Sequence, residues 1–236
     1  MILSHKHKFI FFCNPKTGST SVEKALERHQ EGAEYNHGLR QFSHGEQAKK
    51  LFPNKHLPPA ILKAWLPEKV WNDYYKFVFV RNPWDWFVSE WKYHFKLEQY
   101  QAKDIFKRPY AVARHYKNLP KRQALNSKKV FEVADVDFLY NHLKHNFSVF
   151  PNAKGLFQSH YVCDLDGKML VDRVAKFENI QTDFEQIKDN LSLDIDLQHL
   201  NRTKHSDFRT YFTKESRLRV AELWQEDIER FEYTFD

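Results

Sequence analysis

The residues best suited to chemistry lie between Asn14 and Ser21, in the stretch Asn-Pro-Lys-Thr-Gly-Ser-Thr-Ser. An apolar run precedes this stretch and a helical pattern follows it, which predicts a loop that leads into a helix N-terminus. First-turn N–H groups lack intrahelical partners and carry the positive end of the helix dipole. Lys16 adds a full charge, and four hydroxyl groups add donors. The stretch therefore predicts an anion-binding loop. Its predicted ligands are Pro15, Lys16, Thr17, Gly18, Ser19, Thr20 and Ser21.

A simpler interpretation of the same stretch is a capping box, in which Thr20 and Glu23 satisfy backbone N–H groups at the start of an ordinary helix. Capping alone requires neither Lys16 nor four hydroxyl groups, so the composition of the loop favours the anion site. The G-x-x-x-x-G-K-[ST] spacing of a Walker loop is absent.

A second candidate pair is Arg81 and Ser89. Arg81 follows an apolar run, and Ser89 lies two turns into the next predicted helix. An arginine at a strand end offers a planar, permanently charged fork, and a hydroxyl on the helix can hold the same phosphate from a second side. The alternative is a surface ion pair between Arg81 and Asp85, which would add little stability. These residues alone leave both interpretations open.

The elements that must position these residues are two strands, each followed by a helix. Residues 9–13 and 76–80 are apolar and rich in aromatic and β-branched types, which predicts buried strands. Asn82 suits an N-cap, and Pro83 suits the first helical position. Such junctions line up at the carboxyl edge of a parallel sheet. We therefore predict an α/β fold with a P-loop-like, doubly wound, mainly parallel sheet, helices on both faces and a single domain over residues 1–236.

The remaining elements are predicted from shorter patterns. They are a short helix at 47–52, a helix or loop over 61–73 in which Trp65 and Trp71 pack, two or three helices within 96–150, a hairpin with a type I′ turn at Asp166-Gly167, a strand at 171–177, a helix at 182–191, and one amphipathic helix over 214–231.

The composition of the chain limits its partners. A net charge of +6 over 236 residues favours anionic ones, among them nucleotides, acidic sugars, nucleic acids and lipid surfaces. Cys13 and Cys163 are the two cysteines, so a disulfide framework is not expected and a reducing, cytoplasmic location is. No apolar run approaches the roughly 20 residues of a membrane span, and the polar start of the chain does not resemble a signal peptide.

Several stretches resemble the sulfotransferases that use PAPS (3′-phosphoadenosine 5′-phosphosulfate). Residues 15–21 resemble their 5′-phosphosulfate loop, and residues 77–83 together with Ser89 resemble their 3′-phosphate motif. Residues 171–179 and 201–205 are similar to the carbohydrate-type and bacterial group. Sulfotransferases of small molecules usually carry an aromatic residue, able to stack on adenine, where Ser21 stands. This difference favours the carbohydrate group and leaves the adenine contact unassigned.

The resemblance implies transfer of a sulfuryl group from PAPS to a hydroxyl, with PAP as product and without a metal. Lys16 is then the cation that stabilises the charge on the leaving oxygen. The resemblance also implies a histidine base between the two phosphate motifs, for which His44 is the first choice and His37 the second. The basic cluster before the last helix would close over the 3′-phosphate, receive an acidic acceptor, or form a solvated loop. It consists of Arg202, Lys204, His205 and Arg209.

Two other functions follow from the same features. A P-loop-related kinase would bind ATP with Mg²⁺ and would be indifferent to a 3′-phosphate. A nucleic-acid or polyanion-binding module would need a basic stripe with exposed aromatic residues. Because the aromatic residues recur here at core spacings, nucleic acid is not expected as a partner. The expected partner is a glycan or another hydroxyl-bearing acceptor.

Overall fold

The computed structural model describes residues 1–31, 56–95, 124–125, 127–147, 157–197 and 207–236, which form a mixed α/β structure. Four strands make one sheet in the order β1-β2-β3-β4, with β1 antiparallel to β2 and the other pairs parallel. The strands are β1 (Ile2–Ser4), β2 (Phe9–Phe12), β3 (Tyr75–Val80) and β4 (Arg173–Lys176).

Eight α-helices lie in the described residues. Four 3₁₀ turns also lie there, at Glu27–His29, Gln158–Tyr161, Phe177–Asn179 and Phe208–Tyr211. The helices are α1 (Ser19–Leu26), α2 (Pro59–Lys63), α3 (Glu68–Asp73), α4 (Pro83–His94), α5 (Val133–Phe147), α6 (Ile180–Asn190), α7 (Lys214–Leu223) and α8 (Gln225–Phe231). None of the helices in these ranges is long and apolar enough to cross a bilayer.

Helices cover both faces of the sheet, because alternate strand residues point to opposite sides. Phe11 and Phe77 belong to a buried cluster with residues of α1 and α6. Phe12 and Val78 belong to a second cluster, with residues of α4, α5, α7 and α8. The predicted mixed class, with a mainly parallel sheet and helices on both faces, is confirmed; the P-loop-like, doubly wound topology stays a prediction.

Helix α4 was predicted correctly from its local sequence signals. Asn82 caps α4 by accepting a hydrogen bond from the N–H of Trp84 at 3.1 Å, with Pro83 at the first helical position. The apolar positions predicted for this helix are all buried. They are Trp84, Val88, Trp91 and Phe95.

Residues 2–4 form β1, a strand that was not predicted. Two expectations were wrong. The C-terminal helix is broken at Trp224, whose backbone (φ −114°, ψ 27°) separates α7 from α8. The turn near Gly167 is not type I′, because only Gly167 of its predicted central pair has a positive φ. Trp71 is buried as predicted, whereas Trp65 is only partly covered, with 43% of it exposed.

Some expectations lie outside the described residues. These are the helix at 47–52 and most of the helices expected within 96–150, apart from α5.

Candidate active site

The loop between β2 and α1 has a tightly determined backbone. Lys16 and Gly18 both adopt positive φ, at 59° and 75°. A Cβ on Gly18 would lie 2.6 Å from Cδ1 of Ile180 and 3.0 Å from the Phe177 ring, so glycine is required there for space as well as for conformation. The Thr17 hydroxyl donates to the carbonyl of Asn14 at 2.9 Å and closes the loop from within.

The first turn of α1 begins directly after this loop. Gly18 is the N-cap, and no side chain caps the helix, so the alternative capping box of Thr20 and Glu23 is not formed. The Gly18 carbonyl accepts hydrogen bonds from the N–H groups of Ser21 and Val22. In the first turn Ser19 is buried, Ser21 is half-buried and Thr20 is exposed, so two of its three hydroxyl-bearing side chains reach the surface.

Arg81 connects the second junction to the first. Its Nη1 donates to the carbonyl oxygen of Lys16 at 3.0 Å, and its Nε donates to Oδ2 of Asp85 at 2.8 Å. The guanidinium carbon lies 4.3 Å from the centroid of the Phe177 ring. Arg81 is 5% exposed, so the predicted ion pair with Asp85 exists but is buried and fixes the direction of the guanidinium.

Helix α4 also contacts the first loop. The indole N–H of Trp86 donates to the carbonyl of Pro15 at 3.0 Å. Nζ of Lys16 lies 4.4 Å from the centroid of the Tyr93 ring, one turn after Ser89. Ser89 itself is 2% exposed. The Lys16 loop and Arg81 thus meet at the carboxyl edge of β2 and β3.

Gln158 supports both junctions from the interior, and sequence reasoning missed it. Its amide contacts the main chain of Arg81 and the side chain of Asn14. The backbone at Gln158 is held in turn by Asp227 on α8. These residues are far apart in the sequence and match no short motif, so no local signal could have found them.

The chain matches the family model described as "Sulfotransferase family" over residues 1–234. It belongs to the sulfotransferase family. A comparison with curated proteins and one with solved structures found no match. The family match makes the chain a transferase, and it favours neither the kinase nor the polyanion-binding module.

In this sulfotransferase the C-terminal segment holds the residue after Arg81. Glu178 accepts a hydrogen bond from the N–H of Asn82 at 2.6 Å and another from the hydroxyl of Tyr233 at 2.9 Å. The Asn82 amide donates to the carbonyl of Thr234 at 2.8 Å. Burial, reinforced by the Glu178 carboxylate, raises the pKa of Tyr233, so its phenol stays protonated and remains a donor.

His56 is the histidine that the described residues bring to the loop. Its Nδ1 lies 2.6 Å from the carbonyl oxygen of Cys13, directly before the anion-binding loop. A carbonyl only accepts, so Nδ1 carries the proton and Nε2 is the basic nitrogen of the neutral ring. Sequence reasoning missed His56 because nothing distinguished it among 13 histidines. The predicted bases His44 and His37 lie outside the described residues.

Arg209 is the member of the predicted basic cluster that the described residues include. Arg209 pairs with Asp207 and donates to the carbonyl of Phe235, while Arg202, Lys204 and His205 lie outside the described ranges. Arg173 pairs with Asp183 at the start of β4, away from the carboxyl edge. Within the described ranges no group of three or more His, Cys, Asp or Glu side chains is arranged to hold a metal ion.

Proposed function

We propose that this sulfotransferase moves a sulfuryl group from PAPS to a hydroxyl of a carbohydrate acceptor. The observation that carries the proposal is the 3.0 Å hydrogen bond from Nη1 of Arg81 to the carbonyl of Lys16. It joins the loop that resembles a 5′-phosphosulfate site to the residue that resembles a 3′-phosphate ligand. A single nucleotide with phosphates at both positions fits a loop and a guanidinium group that contact each other directly.

The residues present fit such a nucleotide. The N-terminus of α1, which no side chain caps, suits a 5′-phosphate. Arg81 offers a fixed, charged fork for the 3′-phosphate, because Asp85 and the Phe177 ring hold the guanidinium in one orientation. We assign the 5′ side to residues 15–21 and the 3′ side to Arg81 with Ser89.

Lys16 is the proposed electrostatic catalyst. PAPS, when bound, supplies an activated sulfuryl group. Lys16 supplies a full positive charge from the loop itself, and this charge would offset the negative charge that develops on the leaving oxygen. In the structure its ammonium lies over the ring of Tyr93, which keeps it at the border of α4 and the loop.

We further propose His56 as the base that takes the proton of the acceptor hydroxyl. The carbonyl of Cys13 accepts a hydrogen bond from Nδ1, so Nε2 is the ring nitrogen at which His56 would take up a proton. His44 and His37 are the competing choices from the sequence. His56 is preferred because it contacts Cys13, the residue directly before the Lys16 loop.

The residue type at position 21 supports a carbohydrate as the acceptor. A half-buried serine occupies the place where sulfotransferases of small molecules usually carry an aromatic residue. The roles of Arg202 and Lys204 at the 3′-phosphate and the cytoplasmic location stay predictions.

Calorimetric titration with PAP and with AMP, without added metal, tests the donor site. We expect PAP to bind about tenfold or more tightly than AMP, because a buried arginine contact to a phosphate is worth at least 1–2 kcal/mol. Arg81→Ala should abolish this preference. The double variant Arg81→Ala, Asp85→Ala should also lose the preference for PAP. In this variant the Asp85 carboxylate is removed together with its arginine partner, so no unpaired carboxylate stays buried.

Arg173→Ala is the matched control, since Arg173 is also paired with an aspartate but lies at the start of β4. It should keep the preference for PAP. Equal binding of PAP and AMP by the unaltered protein would contradict the proposal, and tighter binding of ATP with Mg²⁺ would favour a kinase.

A further inference from the structure

The side chain of Gln158 forms a strand-like pairing with the main chain of Arg81. Its Oε1 accepts from the N–H of Arg81 at 2.8 Å, and its Nε2 donates to the carbonyl of the same residue at 2.7 Å. Gln158 is 1% exposed, so both bonds are made away from water. An amide is the side-chain group that can donate and accept at once in this geometry.

The same amide reaches the loop after β2. Oε1 of Gln158 also accepts from Nδ2 of Asn14 at 3.3 Å, and Nδ2 of Asn14 donates to the carbonyl of Phe79 at 3.0 Å. Asn14 leads into the loop of Lys16, and Phe79 lies two residues before Arg81. One buried amide therefore contacts both chain segments that carry the proposed phosphate ligands.

Gln158 is fixed in turn by a buried carboxylate. Oδ2 of Asp227 accepts from the N–H of Gln158 and Oδ1 accepts from the N–H of Ser159, each at 2.8 Å. Asp227 is fully buried in the first turn of α8. The two bonds hold the start of the 3₁₀ turn at Gln158–Tyr161, so the amide does not move independently of α8.

We propose that Gln158 is a positioning residue that sets the relation between the Lys16 loop and Arg81, and thereby the preference of the site for a 3′-phosphorylated nucleotide. This inference rests on the proposed function. The direction of the Arg81 guanidinium depends on its main chain, which Gln158 holds at both its N–H and its carbonyl. Without the amide the two phosphate ligands keep their chemistry but lose their fixed spacing.

The test is the ratio of the AMP to the PAP dissociation constant in Gln158→Met, which keeps the length of the side chain and removes its hydrogen bonds. We expect this ratio to fall about tenfold from its value in the unaltered protein, the effect of one or two buried hydrogen bonds. Gln186→Met is the control, because Gln186 is exposed on α6 and accepts its hydrogen bond from Arg173 of β4. The core variant Phe184→Leu controls for lost stability. Both controls should keep the ratio.

A double-mutant cycle shows whether Gln158 acts through Arg81. In the Arg81→Ala background, Gln158→Met should leave the ratio unchanged, because the ligand it positions is gone. A further fall in that background, or an unchanged ratio in the single variant, would overturn the inference. If the unaltered protein itself does not prefer PAP, it is the proposed function that fails.

Gln158→Glu gives a second, independent test of the positioning role. It can be used even if Gln158→Met does not fold. An ionised carboxylate at this position faces the carbonyl of Arg81 and repels it, whereas a protonated one donates as the amide does. The PAP preference of this variant, relative to the unaltered protein at each pH, should be lost near neutral pH and recover on acidification. A preference that does not depend on pH would contradict the positioning role.

Discussion

A histidine that donates from one ring nitrogen to a main-chain carbonyl keeps the other nitrogen basic, and His56 is held in this way by Cys13. His56→Ala should lower kcat about a hundredfold or more while the affinity for PAP stays nearly unchanged, because a base acts on the acceptor and not on the nucleotide. His56→Asn should lose as much, although its amide can still donate to the Cys13 carbonyl. Steady-state kinetics together with PAP titration measure both effects.

Two comparison variants decide between His56 and the histidines chosen from the sequence. His44→Ala and His37→Ala should keep kcat within about threefold, a change of less than 1 kcal/mol in the barrier. Loss of kcat in His44→Ala with normal turnover in His56→Ala would return the role to His44.

At the scale of elements, the junction of β2 and α1 depends on Gly18. Gly18→Ala should lower the free energy of unfolding by about 2–4 kcal/mol, because it adds a strained positive φ to an atomic overlap with Ile180. Gly167→Ala is the matched control. Gly167 has a similar φ of 80°, but its nearest atom is the mobile end of Arg230 at 3.3 Å.

Gly167→Ala should therefore cost only the backbone strain, about 1–2 kcal/mol. Urea denaturation of both variants separates the two contributions. An equal loss in the two variants would mean that the close approach of Ile180 to Gly18 carries no energetic cost.

The elements that sequence reasoning found are those with local signals. Asn82 and Pro83 mark the start of α4, and the apolar runs of β2 and β3 are long enough to identify. The break at Trp224 was missed because the apolar spacing continues across it, so the period alone does not separate α7 from α8. The 3₁₀ turn at Gln158–Tyr161 was read as part of a hairpin strand, since its conformation depends on the distant Asp227.

The residues of the candidate site also divide into those with a local sequence signal and those without one. The loop after β2 and the place of Arg81 at the end of β3 could be predicted because each follows from a few neighbouring residues. The residues that hold the site in place could not be predicted. Gln158 and Asn14 are separated by 144 positions in the sequence and meet only in the folded chain. Their residue types are also ordinary, and an amide in a loop gives no hint of what it will contact.

For the whole molecule, the buried Asp227 links stability to pH. Burial raises the pKa of Asp227 to about 7, against about 4 for an exposed aspartate. Between these values the unfolded chain is ionised while the folded chain holds the proton, so this group lowers the free energy of unfolding as pH rises from about 4 to about 7. Above about 7 both states are ionised, and the contribution stays constant.

Asp227→Asn cannot titrate, which makes it the reference. The unfolding free energy of the unaltered protein, minus that of the variant, should fall by on the order of 1 kcal/mol per pH unit between about pH 5 and about pH 7 and then level off. Urea denaturation over this range measures the difference. Parallel curves for the two proteins would show that Asp227 has an ordinary pKa in the fold.

At Lys16 the left-handed backbone opposes stability to the proposed catalytic role. A residue with a Cβ is strained at this φ, and glycine is not. A library sorted only for resistance to heating should therefore enrich glycine at position 16 and discard the ammonium group. If Lys16 has the proposed role, such a selection would produce well-folded proteins that are inactive, so directed evolution of this scaffold needs a screen for turnover from its first round.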